Sequence, residues 1–184
     1  MTTSTPTTSI SSDLLPTVRN IDEAREICND FTSVLTVGPH CDEVSDFGHP
    51  DHKIVTFDDV TVAYAGYQAP SFDHVREIVK WGEGRPNLLV HCHAGMSRST
   101  SSAWGIAIAN GFNPKEAYDL LRQNHPVEHH RTWNPQPQVT TYLRQRAFIP
   151  NELVLKHLEQ LFGFRSGTLR DISANGSANS PLDR

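Results

Sequence analysis

Thiols are scarce in this sequence, with only Cys28, Cys41 and Cys92 among its 184 residues. An odd count without any Cys-x2-Cys pair argues against a disulfide framework and a zinc ribbon, and fits a reducing cytoplasm. Long apolar runs are missing too. No stretch approaches the roughly 18 consecutive residues that a membrane span needs. The opening MTTSTPTTSISSD has neither the basic start and apolar core of a secretory signal nor the arginines of a transit peptide. Positive charge is in deficit: Lys and Arg total 16 against 21 Asp and Glu, a formal net charge of -5 with histidine neutral. Neither a nucleic-acid footprint nor a polybasic membrane patch is present, so nucleic-acid and membrane partners are not expected and an anionic ligand has to be attracted locally. No internal repeat is visible.

What remains is the composition of a water-soluble globular chain, 37% hydrophobic and 20% charged, of a length that suits one domain with a substantial core. We expect that domain over residues 13–164. A Thr/Ser-rich leader over 1–12 and a Gly/Ser/Asn-rich tail over 165–184 read as disordered, because neither shows periodicity.

Within the domain, periodicity and caps alternate between strand and helix. Asn20 and Glu23 form a capping box ahead of Ile21, Ala24, Ile27 and Cys28 on one helical face, which makes Cys28 a core residue. The β-branched TSVLTVGP and the shorter HKIVTFDD read as buried strands. Ser71 caps a second helix through Phe72, Val75, Ile78 and Val79, and Gly-rich punctuation separates it from the apolar strand NLLVHC. Strand, crossover helix and strand imply a mostly parallel α/β sheet of four to five short strands flanked by helices. Ligands of such sheets lie beyond the carboxyl ends of the strands, where Cys92 sits. A helix from Ser99 to Asn110, apolar nearly all round, should be buried. Asn113, Pro114 and Glu116 open another helix that ends before Pro126. Two further helical segments are expected around Gln138 to Phe148 and Asn151 to Phe162.

The chemistry concentrates in HCHAGMSRS, residues 91–99. His91, Cys92 and His93 cannot easily ligate one ion, because successive strand side chains point to opposite faces. No metal and no cofactor are therefore expected. The loop Cys92-His93-Ala94-Gly95-Met96-Ser97-Arg98, between a strand and a helix, suits an anion instead: its N–H groups and the helix N-terminus can point into one concavity. Gly95 allows the tight turn, and Arg98 offers a planar fork that can grip two phosphoryl oxygens at once. Such surroundings favour the thiolate of Cys92, the nucleophilic form. A bare Cys-x5-Arg spacing arises easily by chance. Following an apolar strand and opening a buried helix, it becomes specific. The rival readings are a buried apolar cysteine, a surface arginine, Ser99 as a simple helix cap, and Asp58 and Asp59 as ordinary turn acids.

His91 through Thr100 resembles the signature loop of the cysteine-based protein phosphatases, in the Ala-Gly-x-Ser-Arg-Ser version of the dual-specificity group. The resemblance spans about Leu14 to Phe148 and is nearest to bacterial-type members. It implies that Cys92 is the nucleophile, that Arg98 and the loop from His93 to Ser97 hold the phosphoryl group, and that Ser99 helps the thiolate leave. His91 would order the loop without touching substrate. The family acid lies on a loop some thirty residues upstream; Asp59 stands 33 residues before Cys92 (92 minus 59) and Asp58 stands 34 before. The resemblance favours Asp59, with Asp58 the alternative. Family members also carry a Pro-Asn pair before the last core helix; the nearest match is taken as Asn134-Pro135, in reversed order, and the helix from Asn151 is left unmatched.

The implied activity is hydrolysis of phosphotyrosine, and of phosphoserine or phosphothreonine, in a phosphorylated protein through a phosphocysteine intermediate. The alternatives are a non-protein phosphomonoester (a phosphoinositide, sugar or nucleotide) and a catalytically weak phosphobinding module. Where phosphoinositide phosphatases often carry loop lysines, this loop has His93 and Met96. Elsewhere the plain readings prevail: EHHRTW (Glu128 to Trp133) as a surface loop, Cys41 as a loop cysteine rather than a resolving thiol, and the leucine face of ELVLKHLEQLFGF as core rather than a dimer interface.

Overall fold

The computed structural model describes residues 10–39, 46–132, 140–145 and 147–178. At its centre four parallel strands, β1 (Thr17–Arg19), β2 (Ser33–Gly38), β3 (His52–Thr56) and β4 (Leu88–His91), lie in the order β1-β4-β2-β3. Between β1 and β2 runs α1 (Ile21–Ile27), and between β3 and β4 runs α2 (Phe72–Gly82). The two crossovers travel in opposite directions along the sheet, so right-handed connections put α1 and α2 on opposite faces. β4 thus slots between β1 and β2, and its carboxyl end opens at the middle of the sheet.

Strand alternation decides what each face meets. Leu35, Val37, Val55, Leu88 and Val90 join Val75, Ile78 and Val79 of α2 in the main core, together with Trp104 and Ile106 of α3 (Arg98–Ala109). Every residue of α3 from Arg98 to Ile108 is buried, as its all-round apolar character requires. The opposite face carries a smaller cluster of Val34, Leu89, Ala24 and Cys28. It also carries three polar side chains: Thr36, which pairs with His91 in the β2–β4 register, and His52, which pairs with Val34 across β3. The expected capping box of Asn20 with Glu23 is made, the expected cap at Ser71 is completed into a box by His74, and α4 (Pro114–Gln123) opens on the Asn113 side chain.

Three expectations are corrected. The segment around Gln138 to Phe148 is not a helix: β6 (Thr140–Gln145) pairs antiparallel with β5 (Val127–Thr132), in register from Val127 with Gln145 to Thr132 with Thr140. The run Thr-Thr-Tyr prefers extended backbone, which outweighs the weak helical spacing. Residues Glu128 to Thr132 of EHHRTW accordingly lie in a strand rather than a loop. The tail is not wholly disordered either. After α5 (Glu152–Phe162) and the left-handed Gly163, α6 (Thr168–Ala178) packs back onto the domain. Both Glu159 carboxylate oxygens accept backbone N–H groups at its start, from Gly167 and Leu169 at 2.8 Å each. Leu169 is fully buried, and Tyr118 Oη donates to the Ser173 carbonyl at 3.2 Å. Tertiary docking, invisible to local composition, makes this helix. At the other end a 3-10 turn at Ser12–Leu14 already belongs to the fold. Residues 1–9 of the leader, Cys41 and Asn134-Pro135 lie outside the described residues.

Candidate active site

β4 delivers Cys92 to the carboxyl edge of the sheet, and the following loop wraps around its sulfur. Cys92 is 3% exposed. Its Sγ accepts the Gly95 N–H at 3.3 Å and lies 3.1 Å from Ser99 Oγ. Gly95 is needed twice over. Its φ is +71°, and a Cβ there would stand 2.8 to 2.9 Å from the Arg19 and Asn20 backbone. The loop is pinned on both flanks through its carbonyls, His93 accepting from Ile21 N–H at 3.2 Å and Met96 from Ile149 N–H at 3.0 Å. Thr100 Oγ1 also donates to Met96, and Ser101 Oγ to Ser97, at 2.8 Å each. With these carbonyls tied back, the Gly95 N–H is turned toward the sulfur. Ser97, the residue before α3, makes no side-chain cap. The helix N-terminus therefore keeps its attraction for an anion.

Arg98 is the first residue of α3 and is 8% exposed. Its Nη1 donates to the Phe57 carbonyl at 3.1 Å, at the end of β3. Its buried Nε has no partner among the described residues. One edge of the guanidinium is thus anchored, and the opposite Nε–Nη2 edge is the fork that can serve a phosphoryl group.

The two acids separate clearly. Asp58 is buried; its N–H and its Oδ2 both bond the backbone of Gln68, at 2.8 and 2.7 Å, which closes the loop between them. Asp59 is exposed, and its Oδ1 accepts Ser97 Oγ at 2.7 Å, so this acid hangs directly on the signature loop. A second donor to the same oxygen, Asn151 Nδ2 at 2.8 Å, comes from the start of α5. Sequence reasoning missed Asn151. The signal is in the sequence: Pro150-Asn151 is a Pro-Asn pair in unreversed order directly ahead of α5, unlike the reversed Asn134-Pro135. Asn151 is 4% exposed and also caps α5, its Oδ1 accepting from Leu153 and Val154 N–H.

His91 is 1% exposed beneath the loop, with Nε2 2.6 Å from Thr36 Oγ1 and its ring stacked on Phe47. Burial first, and then the nearby His52, bring its pKa down to about 4, so the ring is neutral at pH 7. His93 and Ala94 are exposed and Met96 and Ser97 half-buried, which puts them at the mouth of the loop. Among the described residues no group of three or more His, Cys, Asp or Glu side chains could hold a metal ion.

No protein-family model matches the chain, and no curated protein matches it in sequence. Solved structures do resemble it. DUSP15 superimposes with a TM-score of 0.53 at 16% identity, over 94% of this chain and 96% of that one. The Yvh1 phosphatase domain from Chaetomium thermophilum gives 0.50 at 18% identity, over 83% and 92%. The chain has the dual-specificity phosphatase fold. Within that fold Cys92, Arg98 and Asp59 converge on one loop, while Asp58 supports the segment that presents Asp59.

Proposed function

We propose that this protein is a cysteine-dependent phosphatase that hydrolyses phosphotyrosine monoesters in proteins, with phosphoserine and phosphothreonine as further substrates. The observation that carries the reading is the convergence at Cys92. A buried sulfur faces a loop N–H and the Ser99 hydroxyl, the same loop ends in Arg98 with its unpartnered Nε, and Ser97 holds Asp59 against the loop. A structural cysteine needs none of these.

In the first step Cys92 Sγ attacks phosphorus. The bond to the substrate oxygen breaks, its electron pair leaves with that oxygen, and Asp59 supplies the proton. Both donors to Asp59 meet at Oδ1, which leaves Oδ2 to carry that proton. In the second step water attacks phosphorus and gives a proton back to Asp59. The sulfur–phosphorus bond breaks, and Ser99 Oγ–H steadies the departing thiolate. Arg98 and the loop N–H groups hold the equatorial oxygens throughout, so preorganised electrostatics carries much of the acceleration.

His93 and Met96 offer no lysine-like anchors for additional phosphates, which favours a simple monoester. The segment after Asp59 exposes Val62, Tyr64 and Tyr67, apolar surface that favours a protein substrate over a small polar one. We place the reaction in a reducing cytoplasm, where the thiolate survives. The decisive experiment is hydrolysis of an aryl phosphate in EDTA, with mass spectrometry of the acid-quenched protein. Turnover, a phosphate adduct on Cys92, and loss of both in Cys92→Ser are expected. Undiminished turnover in Cys92→Ser would remove the covalent mechanism.

A further inference from the structure

Between α5, the start of α6 and the chain just past Asp59 lies a cavity of about 190 Å³, whose walls include Thr61, Glu152, Lys156, Glu159, Gly167 and Arg170. At about 30 Å³ for each water of the liquid, that volume takes a carboxylate or phosphate group with room to spare. The cavity adjoins the acid loop on two sides. Thr61 follows Asp59 by two residues, which keeps their Cα atoms within about 7 Å. Glu152 follows Asn151, whose Nδ2 bonds Asp59 Oδ1 at 2.8 Å and the Val60 carbonyl at 3.3 Å.

Two cations meet across this space from different helices, Lys156 of α5 and Arg170 in the first turn of α6. Neither makes an ion pair or a hydrogen bond among the described residues, although the chain has a formal net charge of -5. A Cβ placed on Gly167 would stand 3.5 Å from Arg170 Nη2, so the guanidinium lies folded over the turn that opens α6. The acids near them are committed elsewhere or stand aside. Both Glu159 oxygens are held by the N–H groups of Gly167 and Leu169. Glu152 is one turn ahead of Lys156 on the same face of α5 and makes no ion pair with it, and Asp171 Oδ2, 4.0 Å from the same point on Gly167, makes none with Arg170. The cavity is left with two uncommitted cations against one uncommitted acid, Glu152. The cations repel each other across the space, and an anion between them relieves that repulsion.

We propose that this cavity is a substrate subsite, in which Lys156 and Arg170 hold a carboxylate or phosphate carried by the same peptide as the phosphotyrosine. An extended chain advances about 3.3 Å per residue, so the anionic group belongs about two to four residues from the phosphotyrosine. The signature loop has His93 and Met96 where lysines would meet a second anion, and the cavity supplies the missing cations at a distance that suits a neighbouring side chain. The inference rests on the reading of Cys92 as a phosphatase centre and narrows its substrates to acidic or multiply phosphorylated segments. Lys156 and Arg170 set specificity and take no part in the chemistry.

The test measures binding of fluorescent phosphotyrosine peptides to full-length Cys92→Ser, which does not consume them. Three flanks are compared: alanine, glutamate and phosphoserine, placed two to four residues from the phosphotyrosine on either side. An anionic flank should bind about three- to tenfold tighter than alanine at low ionic strength, and the ratio should shrink in high salt. Lys156→Ala and Arg170→Ala, added singly, should each narrow the ratio by about two- to fivefold, the scale of an exposed ion pair. Lys156→Arg should preserve it. Lys156→Glu with Arg170→Glu should reverse it, so that a lysine-flanked peptide binds better than the glutamate one. The flank that responds to these substitutions identifies the source of the anion, carboxylate or phosphate. Equal affinity for alanine and both anionic flanks would overturn the subsite, and so would an anionic preference unchanged by the single substitutions and by the double reversal. An intact preference alongside a wild-type protein without aryl phosphate turnover would instead count against the phosphatase reading alone.

Discussion

Asn151 and Asp59 share a hydrogen bond 2.8 Å long, from Nδ2 to Oδ1, across 92 residues of sequence. The same side chain caps α5 through its oxygen and reaches the Val60 carbonyl at 3.3 Å through its nitrogen. One residue therefore joins the start of a helix to the loop that carries Asp59, and the two contacts are separable by substitution.

Asn151→Ala should lose both, with a stability cost of about 1 kcal/mol from the missing cap and a lower kcat. Asn151→Ser retains a cap acceptor but is too short for Asp59, so it should recover stability without recovering turnover. Urea denaturation and steady-state kinetics on the two variants distinguish the roles. Equal kcat in Asn151→Ser and wild type would show that the contact does not position the acid.

Arg98→Lys keeps the charge and loses the planar fork. In the native loop one edge of the guanidinium is tied to Phe57 and the Nε of the other has no partner among the described residues, and an ammonium cannot serve both directions with fixed geometry. We expect kcat/KM for an aryl phosphate to fall by about 100-fold or more, the scale seen when one preorganised donor is removed from a transition state. Turnover within a few-fold of wild type would remove Arg98 from contact with the phosphoryl group.

The depressed pKa of His91 makes stability depend on pH in a defined window. Unfolded histidine titrates near 6.5 and the native ring near 4, so between these values the unfolded chain binds more protons and stability rises with pH. The contribution is complete above the unfolded value and is lost as pH falls toward 4. It amounts to about 3 kcal/mol at most on this simple linkage. The urea midpoint of wild type should therefore drop more steeply from pH 6.5 to 4 than that of His91→Asn. Parallel pH profiles for the two proteins would mean that His91 titrates normally in the native state.

The parts of the site that are contiguous in sequence were legible from it, because a strand end, a glycine turn and a helix start impose local rules on Cys92, Gly95 and Arg98. The capping box at Asn20 and the cap at Ser71 were legible for the same reason. What escaped depends on contacts between distant segments. Three residues suffice for β1 only because β4 pairs with it, and α6 exists where Glu159 receives its first N–H groups. Asn151 reaches Asp59 only when α5 is brought against the Asp59 loop. Thr36 and His52 align through parallel register, which one-dimensional alternation does not specify.

Asp58 and Asp59 offer the sharpest discrimination, because adjacent carboxylates of identical chemistry are placed in opposite surroundings. Asp58 points inward and closes the loop on Gln68, while Asp59 is exposed and bonded to Ser97 of the phosphate loop. Asp59→Asn should lower kcat by roughly 100- to 10,000-fold, the usual weight of general acid catalysis. The deficit should shrink for substrates whose leaving group needs no proton, such as a nitrophenolate. Asp58→Asn retains an acceptor for Gln68 and should cost stability more than chemistry, leaving the leaving-group dependence of wild type intact. Leaving-group sensitivity that appeared in Asp58→Asn and not in Asp59→Asn would transfer the acid role to Asp58. It would also require the 58–68 loop to rearrange on binding substrate, since in this structure Asp58 is committed to the Gln68 backbone.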